Sequence, residues 1–514
     1  MLMITLQRIA FSFYFLWGWC INANAQYVDP REAKEHFSRG NYEAAMPAFR
    51  KLLKKDLYHA EYNYKMGLCY LRTNIDKSKA TTYLERAVKN KKNTQWLFDL
   101  GVAYQYSHQF EKAVASFENY MADASEKQKA EAKNKIQSCQ AAKDLIKRPV
   151  DVAIENIGES INSKYADYYP FVAKDDSYIV FTTRRGGVRE FDGYYQSDIY
   201  VSEKADGQFK TAKDAGPLVN SDYDDQAVGL SNDGRTLFVY LDNIKEFGDI
   251  YISNRTNKRF EKITKMGENV NSSNVETAAS ISADGNTLFF ASNKAGGNGG
   301  LDLYMTRKLP DGNWALPQNL GDQINSKYNE DFPNLSEDGK TLYFCSEGHY
   351  SMGGYDLFTS TWDPETNNWS APKNLGYPIN TAGDEKTISF AQEGNLAYMS
   401  ALRPDGYGNL DIYQIIYPET YIFRVKLAIA GNPAQYVTNT EIFIEGTRID
   451  EPLLFTANPN NGIYTIALNY PGTYHLTIDA SGFLPYIEEI NLSSDNELFH
   501  SRITDKIIKL APNN

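Results

Sequence analysis

The stretch LSEDGKTLYFCSE, from Leu335 to Glu347, decides the fold because close copies of it recur along the chain. The copy ISADGNTLFFAS begins at Ile281, and the copy LSNDGRTLFVYL begins at Leu230. In each copy two alternating apolar runs flank an Asp-Gly pair. That arrangement predicts a β-hairpin with a two-residue turn, because such a turn favours residues that tolerate positive φ.

Two further markers recur with the hairpin, at a period of about 50 residues. One is an aliphatic residue followed by Asn and then Ser or Thr, with asparagines Asn162, Asn220, Asn271, Asn325 and Asn380. The other is Asp, then Ile or Leu, then an aromatic residue, with aspartates Asp198, Asp249, Asp302, Asp356 and Asp411. Five such units of four short strands predict a five-bladed β-propeller over residues 149–417. The segment 151–157 resembles the outer strand that the fifth unit lacks, so we expect it to close the ring.

The rest of the chain is predicted to add an all-helical and an all-β part, giving a multidomain α plus all-β protein. Ala33, Gly67 and Gly101 recur at 34 residues, the period of tetratricopeptide repeats, which predicts an α-solenoid over residues 26–148. Alternating strands over residues 418–514 predict a β-sandwich. Residues 1–25 read as a signal peptide, with Ala23-Asn24-Ala25 as the cleavage site.

These motifs together resemble known families. The propeller markers resemble the TolB-type, WD40-like (PD40) repeats, and GIYTIAL with PGTYHLTIDASGF in the last part resembles the carboxypeptidase regulatory-like domain. The order of the three parts resembles Bacteroidota envelope proteins of the type IX secretion and gliding kind. Fuller members of that family end in an OmpA-like domain that binds peptidoglycan. No such motif follows here, so direct peptidoglycan binding is not expected.

The amino-acid composition limits the classes of partner that the protein is expected to bind. The formal net charge of −12 argues against nucleic acid, whose phosphates are bound by basic surfaces. The apolar run after Arg8 is too short to span a membrane and reads as part of the export signal, so we expect a periplasmic or outer-membrane-associated protein. Membrane association would come through partners, or through a lipid on Cys20. The other three cysteines are far apart and are interpreted as buried apolar residues.

Motifs for catalysis are missing from the sequence. The six histidines form no zinc-binding pair, and Ser351 in GHYSMGG does not stand in a nucleophile elbow. The Gly-rich stretches precede predicted strands, whereas a phosphate cradle needs a helix N-terminus. The sequence therefore predicts a protein that is not an enzyme and has no cofactor.

One carboxylate precedes the hairpin of every propeller unit, at the start of its innermost strand. The five are Asp167, Asp225, Glu276, Glu330 and Glu385. Strand starts of a propeller surround its central channel, so we expect these side chains to form a ring at one mouth. In one interpretation each accepts backbone N–H bonds from a neighbouring blade. In the other the ring holds calcium or another cation, or a basic segment of a partner.

The helical part offers a second candidate surface, because tetratricopeptide stacks bind peptides on their concave face. Helical positions place six residues there: Tyr64, Leu68, Arg72, Phe98, Val102 and Tyr106. The sequence thus favours a non-enzymatic scaffold or adaptor that binds envelope proteins, secretion-system components among them. The alternative is a glycan-binding or carbohydrate-active propeller protein.

Overall fold

The computed structural model describes residues 30–90, 93–186, 193, 195–205, 207–242, 248–391, 396–417, 421–446, 452–459, 461–468, 472–492 and 503–513. The signal peptide predicted at residues 1–25, and Cys20 with it, lies outside this range. Within the described residues no helix is both long and apolar enough to cross a membrane. Cys69, Cys139 and Cys345 are buried and free, as predicted.

Seven α-helices and one 3₁₀ turn, Lys77–Lys79, occupy the described N-terminal part. The helices are α1 Pro30–Ser38, α2 Tyr42–Lys55, α3 Ala60–Arg72, α4 Ala80–Asn90, α5 Thr94–Tyr106, α6 Phe110–Met121 and α7 Glu126–Ile146. Two glycines of the 34-residue spacing lie where helices approach closely. A Cβ on Gly67 would stand 2.5 Å from the Leu84 side chain, and one on Gly101 would stand 2.6 Å from Phe117.

The predicted fold class needs correction at this part of the chain, because the tetratricopeptide α-solenoid predicted over residues 26–148 is wrong. The helices pack against loops of the following β region: Met352 is fully buried in one apolar cluster with residues of α6 and α7. Gln105 Nε2 of α5 donates to the Met352 carbonyl at 3.0 Å. The 34-residue spacing reports contacts between helices, but it carries no information about what else their surface packs against.

Five small antiparallel sheets follow the helices. Sheet 1 contains Asp167–Val172, Tyr178–Thr183, Asp198–Ala205, Gln208–Phe209 and Lys213–Asp214. Sheet 2 contains Asp224–Leu230, Thr236–Asp242, Asp249–Thr256, Arg259–Phe260 and Thr264–Lys265. Sheet 3 contains Glu276–Ile281, Thr287–Ser292, Asp302–Arg307 and Gln318–Asn319. Sheet 4 contains Glu330–Leu335, Thr341–Ser346, Asp356–Asp363, Asn368–Trp369 and Lys373–Asn374. Sheet 5 contains Ile388–Ala391, Leu396–Ala401, Asp411–Ile416 and, from far earlier in the chain, Ala153–Asn156.

Hydrogen bonds and close contacts between the first two strands of each sheet and those of the next connect the sheets in a closed order. Ser and Thr hydroxyls accept from backbone N–H groups of the adjoining sheet: Thr182 from Ala227, Ser280 from Leu335, and Ser389 from Val172. Asn334 of sheet 4 donates to the Ile388 carbonyl of sheet 5. A Cβ on Gly229 of sheet 2 would lie 1.9 Å from the Ala279 carbonyl oxygen of sheet 3, so these two strands touch.

The recurring Asp-Gly hairpins join the first and second strands, but their turns are longer than the two residues expected. In sheet 2 the first strand ends at Leu230 and the second begins at Thr236. The Ser231 hydroxyl accepts from the Thr236 N–H at 2.9 Å and donates to Asp233 at 2.6 Å. Gly234 has a φ of 69°. The Ser that precedes the Asp-Gly pair therefore closes a wider loop around the left-handed glycine.

Two further four-stranded sheets form the described C-terminal part. One contains Asn432–Tyr436, Tyr421–Ile429, Tyr464–Leu468 and Ile503–Leu510, the last running parallel to Tyr421–Ile429. The other contains Leu453–Thr456, Glu441–Gly446, Thr473–Ile478 and Tyr486–Asn491. One large apolar cluster joins these sheets to the preceding five, since it contains both Tyr417 and Tyr421.

Candidate functional site

The five recurring carboxylates each cap their own turn. Glu330 accepts the Ser326 N–H at 2.8 Å and the Ser326 hydroxyl at 2.6 Å, and it also accepts the Ser346 hydroxyl at 2.6 Å. The other four accept the N–H and hydroxyl of the Ser or Thr four residues earlier in the same way: Asp167, Asp225, Glu276 and Glu385. The backbone donors thus belong to the turn that precedes each carboxylate, and not to a neighbouring blade as first interpreted.

Burial raises the pKa of three of these carboxyl groups and so favours their neutral form. It raises the pKa of Asp225 and of Glu330 to about 7, against the opposing effect of their hydrogen bonds. It raises the pKa of Glu385 to about 8, with a further contribution from Asp356. All five side chains are almost fully buried. Within the part of the chain that the structure describes, no three His, Cys, Asp or Glu side chains are grouped as metal ligands. A calcium site at the ring stays a prediction.

The asparagine before each of these turns binds the neighbouring sheet. Asn325 Oδ1 accepts from the Leu303 N–H at 2.7 Å, and its Nδ2 donates to the Leu303 carbonyl at 2.9 Å. The same paired bonds join Asn162 to Ile412, Asn220 to Ile199, Asn271 to Ile250 and Asn380 to Leu357. The bound residue is the middle one of the Asp-Ile/Leu-aromatic marker, so the two markers recur because they bond to each other.

The six predicted groove residues of the helical part have separate environments. Leu68 is buried, and Phe98 and Val102 pack against the cluster that contains Met352. Tyr64 stacks on Trp96 with ring centroids 4.4 Å apart and donates to Asp99 at 2.7 Å. The exposed Arg72 donates to Tyr42 at 2.7 Å. All of these contacts are within the chain, and the binding of a partner by the six residues stays a prediction.

The sixth groove residue, Tyr106, faces the β region. Burial raises its pKa, and Asp384 and Glu385 add to the shift. Lys77, beside the start of α4, is likewise within electrostatic range of Asp384. On α7, Lys135 donates to the Gly353 carbonyl at 3.4 Å. The helices therefore pack over the end of the channel at which the innermost strands begin.

Two aromatic side chains meet inside the ring of sheets. Tyr169 of sheet 1 and Phe332 of sheet 4 have ring centroids 4.4 Å apart, although their sheets are not neighbours. Both have left-handed backbone conformations, with φ of 52° and 49°. In each strand the pairing register shifts at this point, between residues 168 and 171 and between residues 331 and 334. Each β-bulge turns its side chain towards the space that the first strands enclose, which we call the channel.

Charged side chains stand next to this aromatic pair. Asp331 accepts the Thr277 hydroxyl at 2.6 Å and the Phe332 N–H at 2.9 Å. Burial raises the pKa of Asp331, while nearby Lys386 opposes that shift. The Lys386 ammonium lies 4.2 Å from the centre of the Tyr355 ring. We refer to Tyr169, Thr277, Asp331, Phe332, Tyr355 and Lys386 as the channel site.

Sequence reasoning did not find the channel site. A signal was present, since in the strand before the hairpin only the first and fourth units carry an aromatic residue followed by proline, as Tyr169-Pro170 and Phe332-Pro333. Proline has no N–H to donate to the strand ladder and is confined to strand edges and bulges, which favours an irregular strand there. That the two bulges face each other depends on how the sheets close.

Comparison with known proteins gives structural likeness only. No protein-family model and no curated protein sequence matches the chain. Among solved structures it is similar to a glycoside hydrolase, with 7% identity and a TM-score of 0.40 over 54% of this chain and 94% of that one. It is similar to an alpha-L-arabinofuranosidase from Lactobacillus brevis, with 13% identity and a TM-score of 0.34 over 50% of this chain and 91% of that one. A polysaccharide lyase described as an ulvan lyase shows 12% identity and a TM-score of 0.26 over 59% of this chain and 79% of that one.

Two predictions are corrected here. The fold class becomes seven helices, counted over the described residues, followed by a long, β-propeller-like all-β region, and no family model supports the tetratricopeptide or carboxypeptidase regulatory-like resemblance. The prediction that the protein is not an enzyme is corrected: the solved structures named above include hydrolases and a lyase, and a likeness of this degree assigns neither an activity nor the lack of one to this chain. It failed because it rested on short motifs, whereas acid and base groups can be brought together from distant strands.

Proposed function

We propose that the protein binds carbohydrate at the channel site. Sugar rings present C–H faces that pack on aromatic side chains, and they present hydroxyl groups that bond to charged or polar side chains. The channel site combines both kinds of group, as small-molecule sites commonly do. Tyr169 and Phe332 supply the aromatic surface, while Asp331 and Lys386 supply an acceptor and a donor.

The observation that carries this proposal is the pair of left-handed aromatic residues. Tyr169 and Phe332 are bulky, and a bulky residue at positive φ is a backbone outlier. Each such residue costs about 1–3 kcal/mol and persists where the surroundings impose it, most often at functional sites. Sheets 2, 3 and 5 have no left-handed residue in the described part of their first strands. The repeat is therefore broken at the two positions that bring aromatic rings together.

Asp331 supports the same proposal. It is 3% exposed, and it lies beside Phe332 in the chain. Since it already accepts from Thr277 and from the backbone, its position is fixed before any ligand arrives. A preorganised acceptor loses little freedom on binding, which favours affinity for a hydroxyl group. The sequence indicates export to the envelope, and we propose that the protein binds its glycan in that compartment.

A binding experiment tests the proposal. The purified protein is titrated with a panel of oligosaccharides by calorimetry, and each mixture is then analysed for cleavage products. Tyr169→Ala and Phe332→Ala should each weaken the tightest interaction by about tenfold or more, which is about 1.4 kcal/mol. Tyr223→Ala is the matched control, because Tyr223 is 42% exposed in the same β region. Equal affinity of the two channel variants and the control, with folding verified by circular dichroism, would refute the site.

A further inference from the structure

The channel site has an asymmetric charge distribution. In each sheet one residue directly follows the turn-capping carboxylate, and these five residues are Tyr168, Gln226, Thr277, Asp331 and Lys386. Only the last is a cation, and only Asp331 in the adjoining sheet is an anion. The five units share a common plan, so this difference gives the channel one positive and one negative side chain next to the aromatic pair.

Asp331 already has partners, whereas Lys386 has no anionic partner in direct contact. Thr277 and the Phe332 N–H donate to the Asp331 carboxylate. Among the described residues no carboxylate oxygen lies within 4.0 Å of the Lys386 ammonium, and no acceptor bonds to it; its contact is with the face of Tyr355. Lys386 is partly buried. A desolvated charge without a hydrogen-bonded partner is costly, so this ammonium is suited to an anion.

The ammonium stays charged in this setting. Burial alone would lower the pKa of Lys386, but Tyr169, Asp331 and Tyr355 nearby raise it above the ordinary value. A cation on the face of an aromatic ring keeps its N–H donors free on the side away from the ring.

We propose that the channel site selects an acidic oligosaccharide, with the carboxylate or sulfate of one sugar residue bound by Lys386. This inference rests on the proposed function. Tyr169 and Phe332 would pack on the sugar ring, and Asp331 would accept from a hydroxyl group. A neutral sugar offers no group that would neutralise Lys386, so it binds more weakly.

The experiment compares matched ligands. The probes are short oligogalacturonides, their methyl-esterified forms and sulfated oligosaccharides of similar length, each titrated by calorimetry at low and at raised ionic strength. The wild type should bind an acidic form at least about tenfold more tightly than the esterified one. That preference should shrink as salt is added, because salt screens the attraction between charges. Carboxylated and sulfated probes tell the two sources of the anion apart.

Variants assign the effect to Lys386. Lys386→Met should abolish the preference for the acidic form, whereas Lys386→Arg, which keeps the charge, should retain part of it and guards against a folding defect in the first variant. Lys340→Met is the control, since Lys340 is exposed at a hairpin turn. Equal binding of acidic and neutral probes that still depends on Tyr169 would overturn this inference and leave the proposed function standing. No binding of any probe would overturn both.

Discussion

Replacing Asn162 by alanine tests whether the asparagine marker closes the ring of sheets. Asn162 Nδ2 donates to the Ile412 carbonyl at 2.9 Å, and Oδ1 accepts from the Ile412 N–H at 2.8 Å. The same amide group donates to Asn156 at 2.8 Å. Asn162 is 2% exposed, so water does not replace these bonds without local opening. The variant therefore leaves two backbone groups of Ile412 without their side-chain partner.

The expected loss follows from those two groups. Each buried polar group left unpaired costs about 1–3 kcal/mol, so the variant should be destabilised by roughly 2–6 kcal/mol. The loss should be measured as the shift of the urea midpoint, followed by circular dichroism. Hydrogen exchange should in addition speed up at Ala153–Asn156, the strand that the chain contributes to sheet 5.

Two comparison variants sharpen this test. Asn325→Ala removes the same pair of bonds to Leu303 between sheets 3 and 4, so it should cost a similar amount while leaving exchange at Ala153–Asn156 unchanged. Asn409→Ala removes an exposed bond to Glu43 and should change the stability by less than about 0.5 kcal/mol. A loss for Asn162→Ala no greater than that of Asn409→Ala would show that the marker does not hold the sheets together.

Three further predictions concern burial and packing. The pKa of Asp225 is raised to about 7 in the folded protein, whereas an Asp in an unfolded chain has a pKa near 4. The carboxyl group therefore contributes its full stability at pH values below about 4. That contribution is lost as pH rises through 7, so the urea midpoint should fall from pH 5 to pH 8, and less so in Asp225→Asn. Met352→Ala should cost about 2–5 kcal/mol and speed hydrogen exchange in α5–α7; unchanged exchange there would contradict the packing of helices on the sheets. Gly229→Ala would place a Cβ 1.9 Å from the Ala279 oxygen and should lower the melting temperature, whereas Gly267→Ala, in open space, should not.

The repeated motifs were readable from the sequence because they depend on local bonds. The Ser-x-Asp-Gly-x-Thr hairpin is held by contacts between residues at most five positions apart, such as Ser231 with Thr236. The turn-capping carboxylates bond four residues back, as Glu330 does to Ser326. Such spacings are fixed by the backbone, so the number and order of the units follow from the chain alone.

The candidate site could not be read in the same way, because its members come from different sheets. Tyr169 meets Phe332, and Asp331 bonds Thr277, only after the sheets have been set side by side. The five carboxylates each accept from their own turn, and the ring that the sequence predicts for them stays a prediction.

What the sequence by itself determined was therefore the recurring unit: a hairpin, an asparagine that binds the next sheet, and a capped turn. What only the tertiary structure decided was the use of the surfaces between units. The helices for which the sequence predicts a binding groove pack on the loop at Met352. Lys386, Tyr169 and Phe332, which come from different units, lie together in one channel. The physical reason is range: hydrogen bonds within a turn are set by neighbouring residues, whereas contacts between sheets depend on the relative placement of the whole sheets.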